Sequence, residues 1–139
     1  MNRSKFAVLV VAALLALALV ACEGYTQTGA STQSRQDGSG GSVSARINKA
    51  NGSATQTIEV EGGGGLILDS DVTLSVGSGA YKIELLGEND QVTLTLEAQA
   101  GQTVSGRGQM VVDSLGEAQY RVTATEAQEV EYSIDYVFR

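Results

Sequence analysis

Catalysis at neutral pH calls for a nucleophile beside a base, or for carboxylates facing one another across a cleft. This 139-residue chain offers little of the first, having a single cysteine, Cys22, and no histidine. Past residue 22 its only lysines are Lys49 and Lys82, and neither stands in a Ser-x-x-Lys spacing. No catalytic residue is assigned, and a non-enzymatic role is expected.

Carboxylate pairs do occur. Glu59 and Glu61, and Asp69 and Asp71, lie two residues apart, so each pair shares one face if it sits in a strand. Glycosidases draw their two carboxylates from separate strands around a cleft, so these pairs are expected as solvated faces and turn residues. Asp69-Ser70-Asp71 and Glu88-Asn89-Asp90 are short oxygen-rich clusters. They make Asp69, Asp71, Glu88 and Asp90 the candidate ligands for Ca²⁺, which takes about six to eight oxygens. Neither cluster has the spacing of a known calcium loop, and Asp and Asn favour turns for their own backbone bonds, so no cofactor is expected. The glycines at 62–65 precede Leu66-Ile67-Leu68 and not the helix N-terminus that a phosphate cradle requires. Tyr81, Tyr120 and Tyr132 are the candidate face for a small ligand or glycan. Thr73, Ser75, Thr93, Thr95, Thr123 and Thr125 alternate with apolar residues and read as β-formers facing water.

Cys22 ends a recognisable leader. Arg3 and Lys5 precede an apolar stretch, residues 6–21, in the layout of a secretory signal peptide. The stretch is shorter than the ~20 residues of a permanent membrane span. Its end, Leu19-Val20-Ala21-Cys22, resembles the lipobox of bacterial lipoproteins. The resemblance implies that the Cys22 sulfur receives a diacylglyceryl group, that the bond before it is cleaved, and that acyl chains such as palmitate then anchor Cys22 as the first mature residue. Each buried methylene contributes about 0.8 kcal/mol, so two or three chains hold firmly where one is marginal. The expected location is the cell envelope, on the outer side of the cytoplasmic membrane. In a two-membrane host Glu23-Gly24 lacks the Asp of inner-membrane retention and favours the outer membrane.

Loss of residues 1–21 takes Arg3 and Lys5 away and leaves seven basic against 16 acidic side chains, a formal net charge of −9. Such a surface repels nucleic acid and anionic lipid. It suits a basic partner, or serves solubility.

The elements that must carry these residues are strands. Residues 23–42 are rich in Gly, Ser, Thr and Gln without apolar period and are expected to form a flexible tether of roughly 25 Å reach. From Val43 the pattern alternates with period two: Val43, Ala45, Ile47; Ile58, Val60; Val72, Leu74, Val76; Tyr81, Ile83, Leu85; Val92, Leu94, Leu96, Ala98; Met110, Val112; Tyr120, Val122, Ala124; Val130, Tyr132, Ile134, Tyr136, Phe138. Asn51-Gly52, Gly77-Ser78-Gly79 and Gly87-Glu88-Asn89-Asp90 supply turn signals, and residues 80–98 read as a hairpin. The expectation is an all-β, antiparallel, two-sheet sandwich of jelly-roll type with about eight strands, spanning 43–139. It follows a signal peptide at 1–21 and a lipidated cysteine and linker at 22–42.

Two family resemblances arise within the β-region. Tyr81-Lys82-Ile83-Glu84-Leu85-Leu86-Gly87 with Gln91-Val92-Thr93-Leu94-Thr95-Leu96, and the closing stretches 116–124 and 132–136, resemble bacterial pre-peptidase C-terminal domains. The resemblance spans about residues 76–138 and implies a jelly roll with an accessory or binding role. That family's middle Asp-rich strand is missing. Ser78-Gly79-Ala80-Tyr81 resembles part of the signature of membrane-bound lysozyme inhibitors, without their Trp, Lys-Gly and disulfide elements. The expected function is therefore an anchored envelope lipoprotein whose non-catalytic sandwich binds or scaffolds an envelope protein partner. Its alternatives are a small-ligand or glycan-binding module, or an inhibitor of a basic cell-wall enzyme such as lysozyme.

Overall fold

A computed structural model describes residues 24–139. The leader, the lipobox residues Leu19, Val20 and Ala21, and Cys22 lie outside the described residues. Seven strands form one antiparallel sheet: β1 Thr26–Thr28, β2 Ser31–Gln36, β3 Gly40–Glu59, β4 Ile67–Leu86, β5 Val92–Gln99, β6 Gln102–Val111 and β7 Glu117–Phe138. A 3₁₀ turn, Glu88–Asp90, joins β4 to β5.

Three strands are far longer than the alternating runs predicted, because β3, β4 and β7 bend without reversing. The buried set shows how. In β3 it runs Val43, Ala45, Ile47, then changes parity to Ala50, Ala54, Ile58; in β4 it runs Leu68, Val72, Leu74, Val76, then Tyr81, Ile83, Leu85. Each change falls beside a register irregularity, between Ala50 and Gly52 and between Ser78 and Ala80, where two steps along β3 or β4 face three along β7. The extra residue thus belongs to β7, and a bulge of this kind bends the paired strands together. In β7 the bend lies between Ala124 and Val130, where Glu126 and Glu129 take φ of 43° and 52°. Asn51-Gly52 and Gly77-Ser78-Gly79, expected as hairpin turns, are therefore corners inside continuous strands; with the bend in β7 they merge the eight expected runs into five strands, and β1 and β2 bring the described residues to seven.

The corners fold the sheet into two facing layers. Layer one runs β2, the first half of β3, the second half of β7, the first half of β4, and β6. Layer two runs the second half of β3, the first half of β7, the second half of β4, and β5. The hairpin expected at 80–98 is present, with Tyr81 opposite Ala98 and Ile83 opposite Leu96. The core between layers holds Leu68, Leu74, Ile83, Leu85, Met110, Val122, Val130 and Ile134, each essentially without solvent exposure. At about 2 kcal/mol for each such side chain, this burial is the main favourable contribution to folding. The fold is an all-β antiparallel sandwich of jelly-roll type.

The expected tether is corrected over most of its length. Residues 26–28 and 31–36 are β1 and β2, and β3 begins at Gly40. The sequence looked unstructured because β2 is exposed at all six positions. Its order comes from a backbone ladder with β3, Ser31 opposite Arg46 through Gln36 opposite Gly41, which requires no apolar side chain. A turn also closes it: Asp37 Oδ1 accepts from the Ser39 N–H at 2.8 Å and the Gly40 N–H at 3.1 Å. Ahead of β1, Tyr25 is 1% exposed and packs in the core.

Candidate functional site

The three tyrosines expected to offer a surface face do not. Tyr81, Tyr120 and Tyr132 are 1%, 3% and 6% exposed. Tyr81 stacks on Tyr132 with ring centroids 6.0 Å apart, and Tyr120 meets Tyr132 edge-on at 6.0 Å. Their hydroxyls pair inside the sandwich, Tyr25 with Tyr81 at 3.3 Å and Tyr120 with Tyr132 at 2.9 Å. Burial pushes all four hydroxyl pKa values up, that of Tyr120 to about 12. The physical reason for the correction is strand parity: each ring occupies the inward position of its strand, alongside Ile83, Val122 or Ile134.

The acidic residues proposed for calcium are spread over two regions. Asp69 and Asp71 do share the outer face of β4, where each meets a cation across the sheet. Asp69 pairs with Arg139 at 2.8 Å and accepts from Gln109 Nε2 at 3.0 Å, while Asp71 pairs with Arg107 at 2.6 Å. Glu88 and Asp90 lie in the exposed 3₁₀ turn after β4, whereas Asp69 and Asp71 pair with the middle of β6. Among the described residues no group of three or more His, Cys, Asp or Glu side chains is placed to hold a metal. Glu59 ends β3 and Glu61 lies beyond it in the loop, both exposed. Ser44, Ser133, Thr73 and Ser105 face one another in register across layer one, and the first three, with Ser31, Gln33 and Ser75, line a shallow open groove of about 660 Å³.

A smaller and more enclosed concavity lies at the open side of the sandwich. Layer one extends one strand further than layer two on this side, because β2 pairs with residues 41–46 of β3 while residues 52–59 of β3 have only β7 as a partner strand. The inward side chains of β2 thus face no opposing strand. They form one wall of a cleft of about 410 Å³, within the usual range for small-molecule sites. Gln27, Thr32, Ser34, Gln36 and Gln56 supply neutral donors and acceptors, and Val43, Ala45, Ile47 and Ile58 an apolar floor. Tyr120, Tyr132 and Tyr136 close the bottom, so two of the expected tyrosines reach the site as its floor, with almost no area of their own exposed. Gln36 is fixed at one end, donating from Nε2 to the Tyr136 hydroxyl at 2.9 Å and to the Glu59 carbonyl at 3.1 Å. Glu59, at the rim, is the one ionisable carboxylate among the lining residues.

Sequence reasoning missed Gln27, Thr32, Ser34 and Gln36 because it placed them in a linker. The usable signal was weak: Thr32, Ser34 and Gln36 alternate with Gln33 and Arg35, a period-two pattern with no hydrophobic contrast to reveal it.

No family model matches the sequence, and no curated protein matches it. Solved structures match in fold. A carbohydrate-binding module from Cellvibrio mixtus lichenase 5A, solved with cellotriose, is 14% identical, with 81% of this chain and 88% of that one covered at a TM-score of 0.37. The Podospora anserina GH26-CBM35 β-(1,4)-mannanase is 16% identical over 82% of this chain and 26% of its own, at 0.47. A Bacillus endospore appendage protein that forms disulfide-linked pili is 16% identical over 77% and 90%, at 0.45. At these identities and scores the likeness is one of β-sandwich architecture alone.

Proposed function

We propose that this chain is a lipoprotein of the cell envelope, anchored through Cys22, whose sandwich is a non-catalytic binding module for a neutral glycan. The observation that carries the ligand class is the cleft beside β2. Three amides and three aliphatic hydroxyls surround an apolar floor, with Glu59 at the rim as the one charged side chain. Sugars present the same alternation, with hydroxyls that both donate and accept around patches of C–H. Amide side chains match them because each carries two donors and one acceptor oxygen; Gln36, whose Nε2 already donates to Tyr136 and Glu59, offers its oxygen. A nucleotide or other anion would find no cation in the lining. The anchor reading rests on the leader and on the sequence Leu19-Val20-Ala21-Cys22.

The test is calorimetric titration of the mature chain, with Cys22→Ser for solubility, against neutral gluco-, xylo- and manno-oligosaccharides. Saturable binding is expected for at least one, weakened about tenfold or more by Gln56→Leu and by Ser34→Val. Those changes each remove a bond of about 1–2 kcal/mol without touching the core. No binding to any of the three series, or binding indifferent to both substitutions, overturns the glycan reading. Mass spectrometry of the native N-terminus tests the anchor: a diacylglyceryl-modified Cys22 is expected, and an unmodified thiol overturns it.

A further inference from the structure

We infer that the sandwich lies directly on the bilayer, with its corner end against the lipid headgroups and its loop end pointing away. This rests on the lipid-anchor reading of Cys22 and specifies which surface meets the membrane.

The first observation is the distance between anchor and core. Tyr25 is buried, its hydroxyl 3.3 Å from that of Tyr81, and β1 begins at the next residue, with Thr26 opposite Asn51. Only Glu23 and Gly24 separate Cys22 from Tyr25. Three peptide steps span at most about 11 Å fully extended. The polar layer on each side of a bilayer is itself roughly 5–8 Å deep. A domain tethered this closely has no room to tumble, and the part of its surface around Tyr25 must be the part nearest the lipid.

The second observation is what that surface contains. The bends of β3, β4 and β7 gather at one end of the sandwich with β1 and the β5–β6 turn, where the Gly101 N–H donates to the Val76 carbonyl at 2.8 Å. At this end stand Thr26, Thr28, Asn51, Ser78, Thr125 and Gln128, with Lys49, Glu126 and Glu129 as the charged residues beside the tether's own Glu23. The opposite end holds the other connections, residues 37–39, 60–66, 87–91 and 113–116. They are tied together by the Val60 N–H donating to the Gly116 carbonyl at 2.7 Å and the Ile67 N–H donating to the Arg139 carbonyl at 3.1 Å. There Asp37, Glu59, Glu61, Glu88, Asp90, Asp113 and Glu117 outnumber the two basic side chains, Arg35 beside Asp37 and Arg139. Anionic lipid repels carboxylates over about a Debye length. The chain is therefore tethered at its less acidic, hydroxyl- and amide-rich end, and the larger excess of negative charge is carried on the end that this tether holds farthest from the lipid. Two independent features, tether position and charge partition, select the same orientation.

The test uses the lipidated full-length mature protein in phosphatidylethanolamine/phosphatidylglycerol vesicles carrying a headgroup spin-labelled lipid. With the Cys22 sulfur in thioether linkage, an introduced cysteine is the one free thiol for a fluorophore. A label at Thr125→Cys, on the corner end, is expected to be quenched several-fold more than one at Ser114→Cys, on the loop end. A Gly/Ser insert of about 20 residues between Glu23 and Gly24, with ~25 Å of reach, is expected to bring the two close to equal. Equal quenching at native tether length in a protein shown by mass spectrometry to be lipidated overturns the orientation and leaves the anchor reading standing. A protein without lipid that does not float with vesicles overturns the anchor reading and this inference together.

Discussion

The hydroxyl of Tyr120 lies 2.9 Å from that of Tyr132, although both belong to the same strand. They meet because β7 bends between them, sending Tyr120 into layer two and Tyr132 into layer one. With Tyr25 and Tyr81 they form a set of buried hydroxyls, and no buried side-chain polar atom among the described residues is left without a partner. A bond of this kind inside a core fixes which faces meet, since a slipped register would leave a buried hydroxyl unpaired.

That set makes the fold sensitive to alkali. Desolvation raises the pKa of Tyr25, Tyr81, Tyr120 and Tyr132 above the ordinary 10.0, that of Tyr120 to about 12. The unfolded chain loses these protons near pH 10 while the folded chain keeps them. The stability linked to them is thus complete below pH 10 and falls as pH rises through the folded values. Tyrosinate absorbance and loss of β-type circular dichroism are expected to appear together above pH 10. Tyr120→Phe, which removes one such proton, should make the decline shallower. Independent titration of these four tyrosines near pH 10 in a still-folded protein would contradict the buried arrangement.

The corners give a second prediction. Gly79 has φ of +74°, and a Cβ there would press on the carbonyls of Thr125 and Glu126 in β7. Left-handed backbone disfavours a side chain by about 1–2 kcal/mol, and crowding of fixed backbone adds about 1–3. Gly79→Ala is therefore expected to lower stability by about 2–5 kcal/mol. Gly38→Ala, where a Cβ meets nothing within 4 Å, should stay within about 0.5 kcal/mol. Urea midpoints of the two variants decide the comparison.

What the sequence disclosed follows from which forces leave a hydrophobic trace. Val72, Leu74 and Val76 alternate on one parity, and Tyr81, Ile83 and Leu85 on the other. Burial on one face writes that pattern, so the sandwich class and the 80–98 hairpin were legible. The change of parity was legible too, but a turn and a bulge both produce it, and Gly77-Ser78-Gly79 suits either. The same alternation puts Tyr81, Tyr120 and Tyr132 on inward positions, and treating them as a surface face gave aromatic chemistry more weight than parity. β2 left no hydrophobic trace, because its hydrogen bonds belong to the backbone and its side chains are polar on both faces. With β2 unseen, the cleft it borders was unseen as well.

At the β2–β3 turn a single carboxylate provides a third prediction. Hydrogen bonds from the Ser39 backbone, the Ser39 hydroxyl and the Gly40 backbone lower the Asp37 pKa below its ordinary 3.8. A lowered folded value means that the stabilisation is present above pH 3.8 and is lost as pH falls through the folded pKa. Because Asp37 is fully exposed, the loss is local: amide protection in β2 should fall at acid pH while that in β4 and β7 persists. Asp37→Asn should remove the acid dependence of β2. Since β2 forms one wall of the cleft, oligosaccharide affinity is expected to fall in the same pH range.

The last prediction concerns how the two layers touch. Strand interiors disfavour glycine, yet β6 holds Gly106 and Gly108 on its inward parity, between Val104 and Met110. Leu94 and Leu96 of β5 explain both. A Cβ at Gly106 would stand 3.1 Å from the Leu94 and Leu96 methyl groups, and one at Gly108 would stand 2.5 Å from Leu94 Cβ and 3.2 Å from Leu85 Cδ1. The glycines let β5 descend onto β6 and close the sandwich on the side opposite the cleft. Gly108→Val must push β5 outward, because the nearest atom is Leu94 Cβ, which no rotamer change moves, at about 1–3 kcal/mol. A lower urea midpoint with an unchanged slope is expected, because the fold survives and only its stability changes. Measured against Leu94→Gly as the background, which removes that Cβ, the loss from Gly108→Val should be smaller. If Gly108→Val is neutral and shows no coupling to Leu94→Gly, the close approach of β5 to β6 is wrong.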